Sequence, residues 1–479
     1  MRLSAATLAD LPAQVRKPCY DVADQAIGIV HLGIGAFHRA HQAVYTDDAM
    51  NAGERDWRIC GVSLRSGGVR DQLGPQDGFY SVTVKDRGES ETRVIGSVAK
   101  VLVAGDQPDG VIGALANAAT RMVTLTVTEK GYHLTADGGL DVDDPAIAEE
   151  LRSGDPATIY GFLAKGLAAR RVREAGGLTL LSCDNLAANG RKLQRALLAY
   201  LEQVDPELER WTSANCTFPC SMVDRIVPAT TPDDLDAVAR TIGMDDAGAV
   251  VTERFSQWVI EDRFATGRPR WEDHGAQIVA DVEPYETAKL RMLNGAHSAL
   301  AYLGLAEGLA LVSEAVAHPH IGPLVDRLMR DEAASSFTAA PGQNLSAYAD
   351  QLLRRFANPA LPHRLAQIAL DGSQKIPQRW LETLAHHQQR GRTYPAILAA
   401  LAAWIVFVRG DGRHKVDDPM ADRLATLWKD AGPDGIVAAS FGPGGVFADH
   451  FEAGEESLTS LQALVTERLA NRRAPTFQE

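Results

Sequence analysis

The chain is poor in cysteine. It has five among 479 residues (Cys19, Cys60, Cys183, Cys216 and Cys220), an odd and scattered set. That pattern excludes a disulfide framework and points to a reducing, cytoplasmic setting. Cys216 and Cys220 form the only close pair, and without a second Cys/His pair nearby no zinc site or other metal site is expected. Positive charge is also short. Against 62 acidic side chains stand 48 Lys and Arg, a formal net charge of −14, which argues against nucleic acid or an anionic membrane surface as a partner. Any anionic substrate then needs a locally basic pocket. Long apolar runs are missing as well. The longest, 396–408, falls well short of the ~20 residues of a spanning helix and reads as a buried helix. The opening segment MRLSAATLADLP has no apolar h-region, so no secretory signal is expected. No internal repeat, low-complexity tract or long linker interrupts the chain.

What is present is ordinary in bulk, 45% apolar and 23% charged, and the length favours two domains over one core. The first half alternates short apolar runs with helical stretches. Residues 27–32 (IGIVHL), 59–64 (ICGVSL), 123–128 (VTLTVT) and 178–183 (LTLLSC) have the continuous hydrophobicity of strands buried on both faces. The segments 39–51 and 155–173 are long enough to cross over between parallel strands. After residue 281 the texture becomes Ala- and Leu-rich, with helical stretches at 286–307, 323–334, 345–357, 396–408 and 457–469. Turn markers separate them at Gly308, Pro319, Pro341, Pro359, Pro377 and 410–412. The expected class is α/β for residues 1–282, followed by a mainly α-helical domain over 283–479. A cleft between two such domains is a common place for a substrate.

Residues 286–297 (ETAKLRMLNGAH) are the most unusual stretch. At ~100° per residue, with Glu286 at zero, Lys289 falls near ~300°, Asn294 near ~80° and His297 near ~20°. The four polar groups share a face, and an apolar continuation at Leu300, Leu303 and Leu305 runs the helix into a core. Alone, this is compatible with a surface Glu–Lys pair and a satisfied core histidine. A second signal follows the first strand, where 33–41 reads GIGAFHRAH. Gly33 permits a tight turn, and Gly35 lets backbone N–H groups approach a pyrophosphate, with Phe37, His38 and Arg39 next in line. His38 occupies the place where a third glycine is usual. At the end of the second strand, where an acid holds the ribose of NAD, the chain reads SLRSGGVRD, so NAD is not secured over NADP. Arg65 suits a 2′-phosphate or an adenine stack. Polar strand ends at Thr128 and Glu129, at Asn185 and at Asp224 lie where an open sheet binds ligands. Each alone reads first as a helix cap or a buried ion pair; together with the Gly-rich turn and the 286–297 helix they suggest one assembled site.

The motifs HLGIGAFHRAHQA (31–43), TVTEKGY (126–132), LSCDNLAANG (181–190), MVDRIVP (222–228), FSQWVIEDRFATGRP (255–269), KLRMLNGAH (289–297) and DGSQKIPQR (371–379) resemble those of the polyol-specific long-chain dehydrogenases. The resemblance runs almost end to end. It implies a Rossmann-type N-terminal domain, a helical C-terminal domain, and metal-free oxidation of a secondary alcohol on an open-chain sugar derivative. It also implies roles. Lys289 would be the acid/base, Asn185 and Asn294 would hydrogen-bond the developing oxyanion, and His297 would orient the substrate. Asp224 and Glu286 would lie on the proton or substrate side. The sequences at 363–379 and 126–132 look closer to the fructuronate reductase branch, which implies D-fructuronate/D-mannonate interconversion. Arg364, Lys375 and Arg379 are the cations available for a sugar-acid carboxylate, Lys375 foremost. The alternatives are a neutral polyol substrate such as mannitol or arabinitol, and a catalytically silent dinucleotide sensor. Cys216, and Gly67 with Gly68, depart from the family pattern; the glycines leave cofactor choice open.

Overall fold

The computed structural model describes residues 1–471 apart from 87, 361 and 411–413; the turn marker Gly412 lies outside the described residues. The chain divides into two compact units, Met1–Val282 and Glu283–Glu479.

In the first unit the strands in chain order are β1 (Ile27–Leu32), β2 (Arg58–Ser63), β3 (Tyr80–Asp86), β4 (Glu89–Ile95), β5 (Val98–Val103), β6 (Met122–Leu125), β7 (Thr179–Ser182), β8 (Ser221–Asp224), β9 (Val250–Glu253), β10 (Gln257–Glu261) and β11 (Gln277–Val279). Five of them make a parallel sheet in the order β5-β2-β1-β6-β7. Thr217 bridges Thr179 in parallel beyond β7 and so begins a further short edge. Chain order reverses at β1, between β2 and β6, which is the topological switch of a doubly wound sheet. Residues 28–32 of β1 and all of β6 and β7 are buried, as the unbroken apolar runs require of strands covered on both faces. Helices such as Ile159–Val172 and Asn189–Val204 supply apolar side chains to the core on one side (Leu163, Leu167, Leu193, Leu197). Two three-stranded sheets, β11-β10-β8 and β4-β3-β9, complete the unit.

The structure departs from the sequence expectation in two places here. The third expected strand, 123–128, stops at Leu125, because the N–H groups of Val127 and Thr128 turn away to the carboxylate of Asp184 (3.0 and 2.8 Å). The helix expected over 39–51 is broken at His41 (φ −122°, ψ −91°) into Ala36–Ala40 and Gln42–Asn51.

The second unit is helical around one core. Helix Pro395–Phe407, the apolar run of the sequence, is buried from Ala396 to Phe407. Among the described residues no helix is long and apolar enough to cross a membrane. Three π-helical segments interrupt the α-helices, at Lys289–Asn294, Leu328–Ala333 and Pro377–Leu381. Pro377 therefore does not separate two helices as expected. It continues from Gly372–Ile376 into Glu382–Gln388 through a π turn in which the Glu382 N–H bonds to Pro377 O, and as the first residue of that turn the proline needs to donate no bond within it.

Candidate active site

In the first unit the carboxyl ends of β1 and β6 meet at the switch point. Gly33 has φ +95°, and a Cβ there would lie 2.2 Å from the carbonyl oxygen of Thr126. Only glycine permits this approach, which is sealed by the Thr126 hydroxyl donating to the Gly33 carbonyl (2.8 Å). Gly35 is different. A Cβ there would meet nothing nearer than Gly33 O at 3.9 Å, so the turn presents open space and bare backbone where a dinucleotide's phosphates would approach. The residues present therefore fit a nucleotide. Phe37 stacks on His41 (centroids 5.1 Å apart). His38 and Arg39 turn inward instead of toward a ligand. His38 is 0% exposed and stacked 3.4 Å from His31, and burial, with His31, His41 and Arg39 nearby, pushes its pKa well below the ordinary value. Arg39 donates to Gly248 O (2.5 Å). Both were expected at the cofactor, and their side chains serve the core.

At the next strand end Thr128 has φ +70°, a conformation that costs a β-branched residue roughly 1–3 kcal/mol. Asp184 holds it there. Its buried carboxylate takes the N–H groups of Val127 and Thr128, and the Tyr132 hydroxyl donates to it at 2.7 Å. Burial raises the Asp184 pKa while those three donors oppose the rise. This brace leaves Thr128 and Glu129 exposed at the carboxyl edge, with Asn185 exposed beside Asp184. The sequence reading noted Asp184 at this strand end but gave a role only to Asn185. An acid one residue before it, at a strand end facing TEKGY, was the available signal. Asn189 was missed. Its amide ties Asp184 O and Ser221 O (3.0 and 2.8 Å) and accepts the Ser221 N–H, fixing β7 to β8, whose last residue is the buried Asp224. Beyond β2, Arg65 is exposed, and Asp71 is paired with Arg70 (2.9 Å), which also grips Asp106 (2.6 Å).

In the second unit Glu286 lies in helix Glu283–Ala288, Lys289 opens the π segment, Asn294 ends it, and His297 lies in helix Gly295–Ala306. The Gly295 N–H bonds to Leu290 O, the five-residue step of a π turn. This corrects the geometry expected of a plain α-helix. There the four polar groups spread over ~140°; the extra residue takes up ~100° of rotation between Lys289 and Asn294 and draws all four within ~80°. All four are half-buried, between Met292, Leu293, Gly295 and Ala296, which are buried. His297 packs against Phe356 (4.7 Å) and edge-on to His363 (5.3 Å). Burial, then His363, Arg355 and Arg379, holds its pKa well below the ordinary value. It is therefore a neutral imidazole, fit to hydrogen-bond a hydroxyl and unfit to neutralise a carboxylate.

The three candidate cations differ. Arg364 is exposed, and its backbone bridges Leu311. Lys375 is half-buried and donates to Leu370 O (2.5 Å); burial and then Arg379 lower its pKa. Arg379 donates to Asn294 O (3.2 Å) and to the Ser298 hydroxyl (2.8 Å). Its pKa is lowered to about 10 by burial, so it remains a cation at neutral pH.

Residues 27–273 match the mannitol dehydrogenase Rossmann domain, and residues 281–454 the mannitol dehydrogenase C-terminal domain. The chain is 41% identical to the D-mannonate oxidoreductase of Escherichia coli, over 92% of this chain and 93% of that protein. It is 38% identical to a mannitol 2-dehydrogenase of Phaeosphaeria nodorum, over 88% of this chain and 77% of that protein. Among solved structures it resembles the Pseudomonas fluorescens mannitol 2-dehydrogenase in ternary complex with NAD and D-mannitol (TM-score 0.81, 35% identity, 98% of this chain and 97% of that one). It also resembles a substrate-free D-sorbitol dehydrogenase (TM-score 0.89, 32% identity, 99% and 98%).

Proposed function

The chain belongs to the mannitol dehydrogenase family of secondary-alcohol oxidoreductases, and on that premise we propose that it interconverts D-fructuronate and D-mannonate with NAD(H). The observation that carries the reading is the π turn that gathers Glu286, Lys289, Asn294 and His297 on one face. A silent dinucleotide sensor has no use for an acid/base, an amide donor and a neutral imidazole in that arrangement. Similarity to a D-mannonate oxidoreductase over nearly the whole chain favours the sugar acid.

Gly33 and Gly35 would hold the dinucleotide's phosphates, with Phe37, Arg65, Thr128 and Glu129 around them. When bound, the nicotinamide supplies the hydride chemistry. The chain's own groups manage the proton and the charge. Lys289 gives its proton to the carbonyl oxygen as that oxygen becomes an alcohol, and takes it back in the reverse direction. The amides of Asn185 and Asn294 donate to the alkoxide-like oxygen of the transition state, a preorganised replacement for a Lewis acid. Neutral His297 and the carboxylates of Asp224 and Glu286 hydrogen-bond the hydroxyls and set the pose. Lys375 is our choice for the carboxylate, since its ammonium has further donors beyond the Leu370 carbonyl.

The second reading is a neutral polyol, favoured by the similarity to mannitol 2-dehydrogenases and to a sorbitol dehydrogenase. An NADH-oxidation assay with fructuronate, tagaturonate and fructose side by side, repeated with NADPH, separates the cases. The proposal expects fructuronate with NADH to give the highest kcat/KM. Fructose ahead of both acids would move the chain to the polyol branch, and NADH binding without any turnover would leave only the sensor.

A further inference from the structure

Two π segments of the second unit are bolted together at the site. Arg379 and Trp380 are neighbours in the segment Pro377–Leu381, and they grip two successive carbonyls where the other segment ends and helix Gly295–Ala306 begins. The guanidinium Nη1 of Arg379 donates to Asn294 O, and the indole N–H of Trp380 donates to Gly295 O (3.1 Å). The same Nη1 reaches the hydroxyl of Ser298 (2.8 Å), one helical turn beyond Asn294. The fit leaves little room, since a Cβ at Gly295 would sit 3.3 Å from Arg379 O and 3.5 Å from Trp380 Nε1. The backbone of Asn294 is therefore fixed from outside its own helix. A π turn is wider and less regular than the α-helices on either side of it, and contacts from outside the helix help to hold its shape. On the sequence alone Arg379 was one of three cations for a carboxylate, yet its guanidinium is anchored to the helix that carries the reacting groups.

We infer that Arg379 is a positioning residue for hydride transfer: by clamping the Asn294 carbonyl and the Ser298 hydroxyl it holds the end of the π turn that aims the Asn294 amide at the reacting oxygen. This rests on the reading of Asn294 as the alkoxide's donor. An amide needed only in the transition state affects kcat and leaves KM almost unchanged, and a residue acting through that amide inherits the same signature. A carboxylate ligand would show the opposite split.

The test is steady-state kinetics on the full chain with NADH and the preferred ketose, for Arg379→Met, Arg379→Lys, Asn294→Ala and the double variant Asn294→Ala/Arg379→Met. Arg379→Met is expected to lower kcat about 100-fold with KM within threefold. Arg379→Lys, which keeps one charged donor, should recover about a tenth to a half of the wild-type kcat. The double variant should be no slower than Asn294→Ala alone, because the clamp has nothing left to position. A tenfold rise in KM for the acid at unchanged kcat would make Arg379 a substrate ligand and overturn the inference. So would losses that multiply in the double variant. If Asn294→Ala turns over at the wild-type rate, the donor assignment itself fails and takes this inference with it. A damaged Asn294→Ala beside a normal Arg379→Met sinks the inference alone. Should Arg379→Met not fold, Ser298→Ala removes one anchor of the same guanidinium. It must lower kcat at constant KM, and a wild-type kcat there counts as refutation.

Discussion

The two glycines of the first turn predict opposite failures. Gly33→Ala places a Cβ 2.2 Å from the backbone oxygen of Thr126, at φ +95°. The positive φ costs an L side chain roughly 1–2 kcal/mol. The clash is with a backbone that cannot yield without moving β1 from β6, worth roughly 1–3 kcal/mol more by analogy with overpacked cores. A loss of roughly 2–5 kcal/mol corresponds to a fall in Tm of roughly 3–8 °C for a unit of this size. Gly35→Ala meets only Gly33 O at 3.9 Å and has no positive φ, so its Tm should stay within about 1–2 °C of wild type. Its methyl instead occupies the side from which phosphates approach, and the Kd for NADH should rise at least tenfold, about 1.4 kcal/mol. Differential scanning fluorimetry of the free protein and a fluorescence titration with NADH read the two quantities separately. Wild-type NADH affinity in Gly35→Ala would show that the pyrophosphate does not lie over this turn. An unchanged Tm in Gly33→Ala would refute the steric argument.

Three further outcomes are expected. Lys289→Ala should lower kcat by at least about 10³-fold while NADH still binds, read by turnover and by titration; near-normal rates would remove Lys289 as the acid/base. Lys375→Met should raise KM for fructuronate far more than for fructose, and equal changes would exclude carboxylate recognition there. The carboxyl of Glu332 is buried, accepts the N–H groups of Ala396 and Ile397 at the start of helix Pro395–Phe407, and has its pKa raised from 4.5 to about 7, chiefly by that burial. Below pH 4.5 both states hold the proton. Between 4.5 and 7 only the folded state does, so this contribution, at most about 3 kcal/mol, is lost as pH rises through that window. Glu332→Gln should flatten the decline of Tm across the same interval, and an unaltered profile would show that Glu332 does not carry it.

The parts of the fold legible in the sequence were those whose pattern answers to a single cause. A strand buried on both faces must be apolar throughout, and β1 and β7 were visible for that reason. The antiparallel pair β3 and β4 was overlooked although YSVTVKD alternates, because mixed sheets give half-polar runs that resemble loops. Helix Ala421–Phe441 was overlooked because Gly432 and Pro433 sit within it, and Gly432 does make a kink (φ +65°). At the candidate site the residue types that stand out from their surroundings, Lys289, Asn294 and His297 on a helix running into a core, were readily named as candidates. The residues that hold others in place were not. Asn189, His363 and Trp380, and the bracing role of Asp184, are recognisable only through partners far away in the chain.

The π turn shows why this division arises. Nothing in KLRMLN marks a π segment, since its residues suit an α-helix equally well. The turn is held by groups from outside it. Arg379 and Trp380 donate to Asn294 O and Gly295 O, and Arg291 of the same segment reaches Ser336 and Glu382. The segment it packs against, Leu328–Ala333, is supported likewise by His387 at Glu332 O (2.7 Å). Each irregular helix is therefore stabilised by side chains of another, and none would keep its shape alone. The closeness of Lys289 to Asn294, some ~40° apart instead of ~140°, is accordingly a tertiary property. A substitution that relaxes the turn to a plain α-helix would leave every proposed reacting group in the sequence and still swing the base away from the amide. Loss of turnover in such a variant would be a loss of alignment, which is why the residues around this turn belong to the chemistry as much as those upon it.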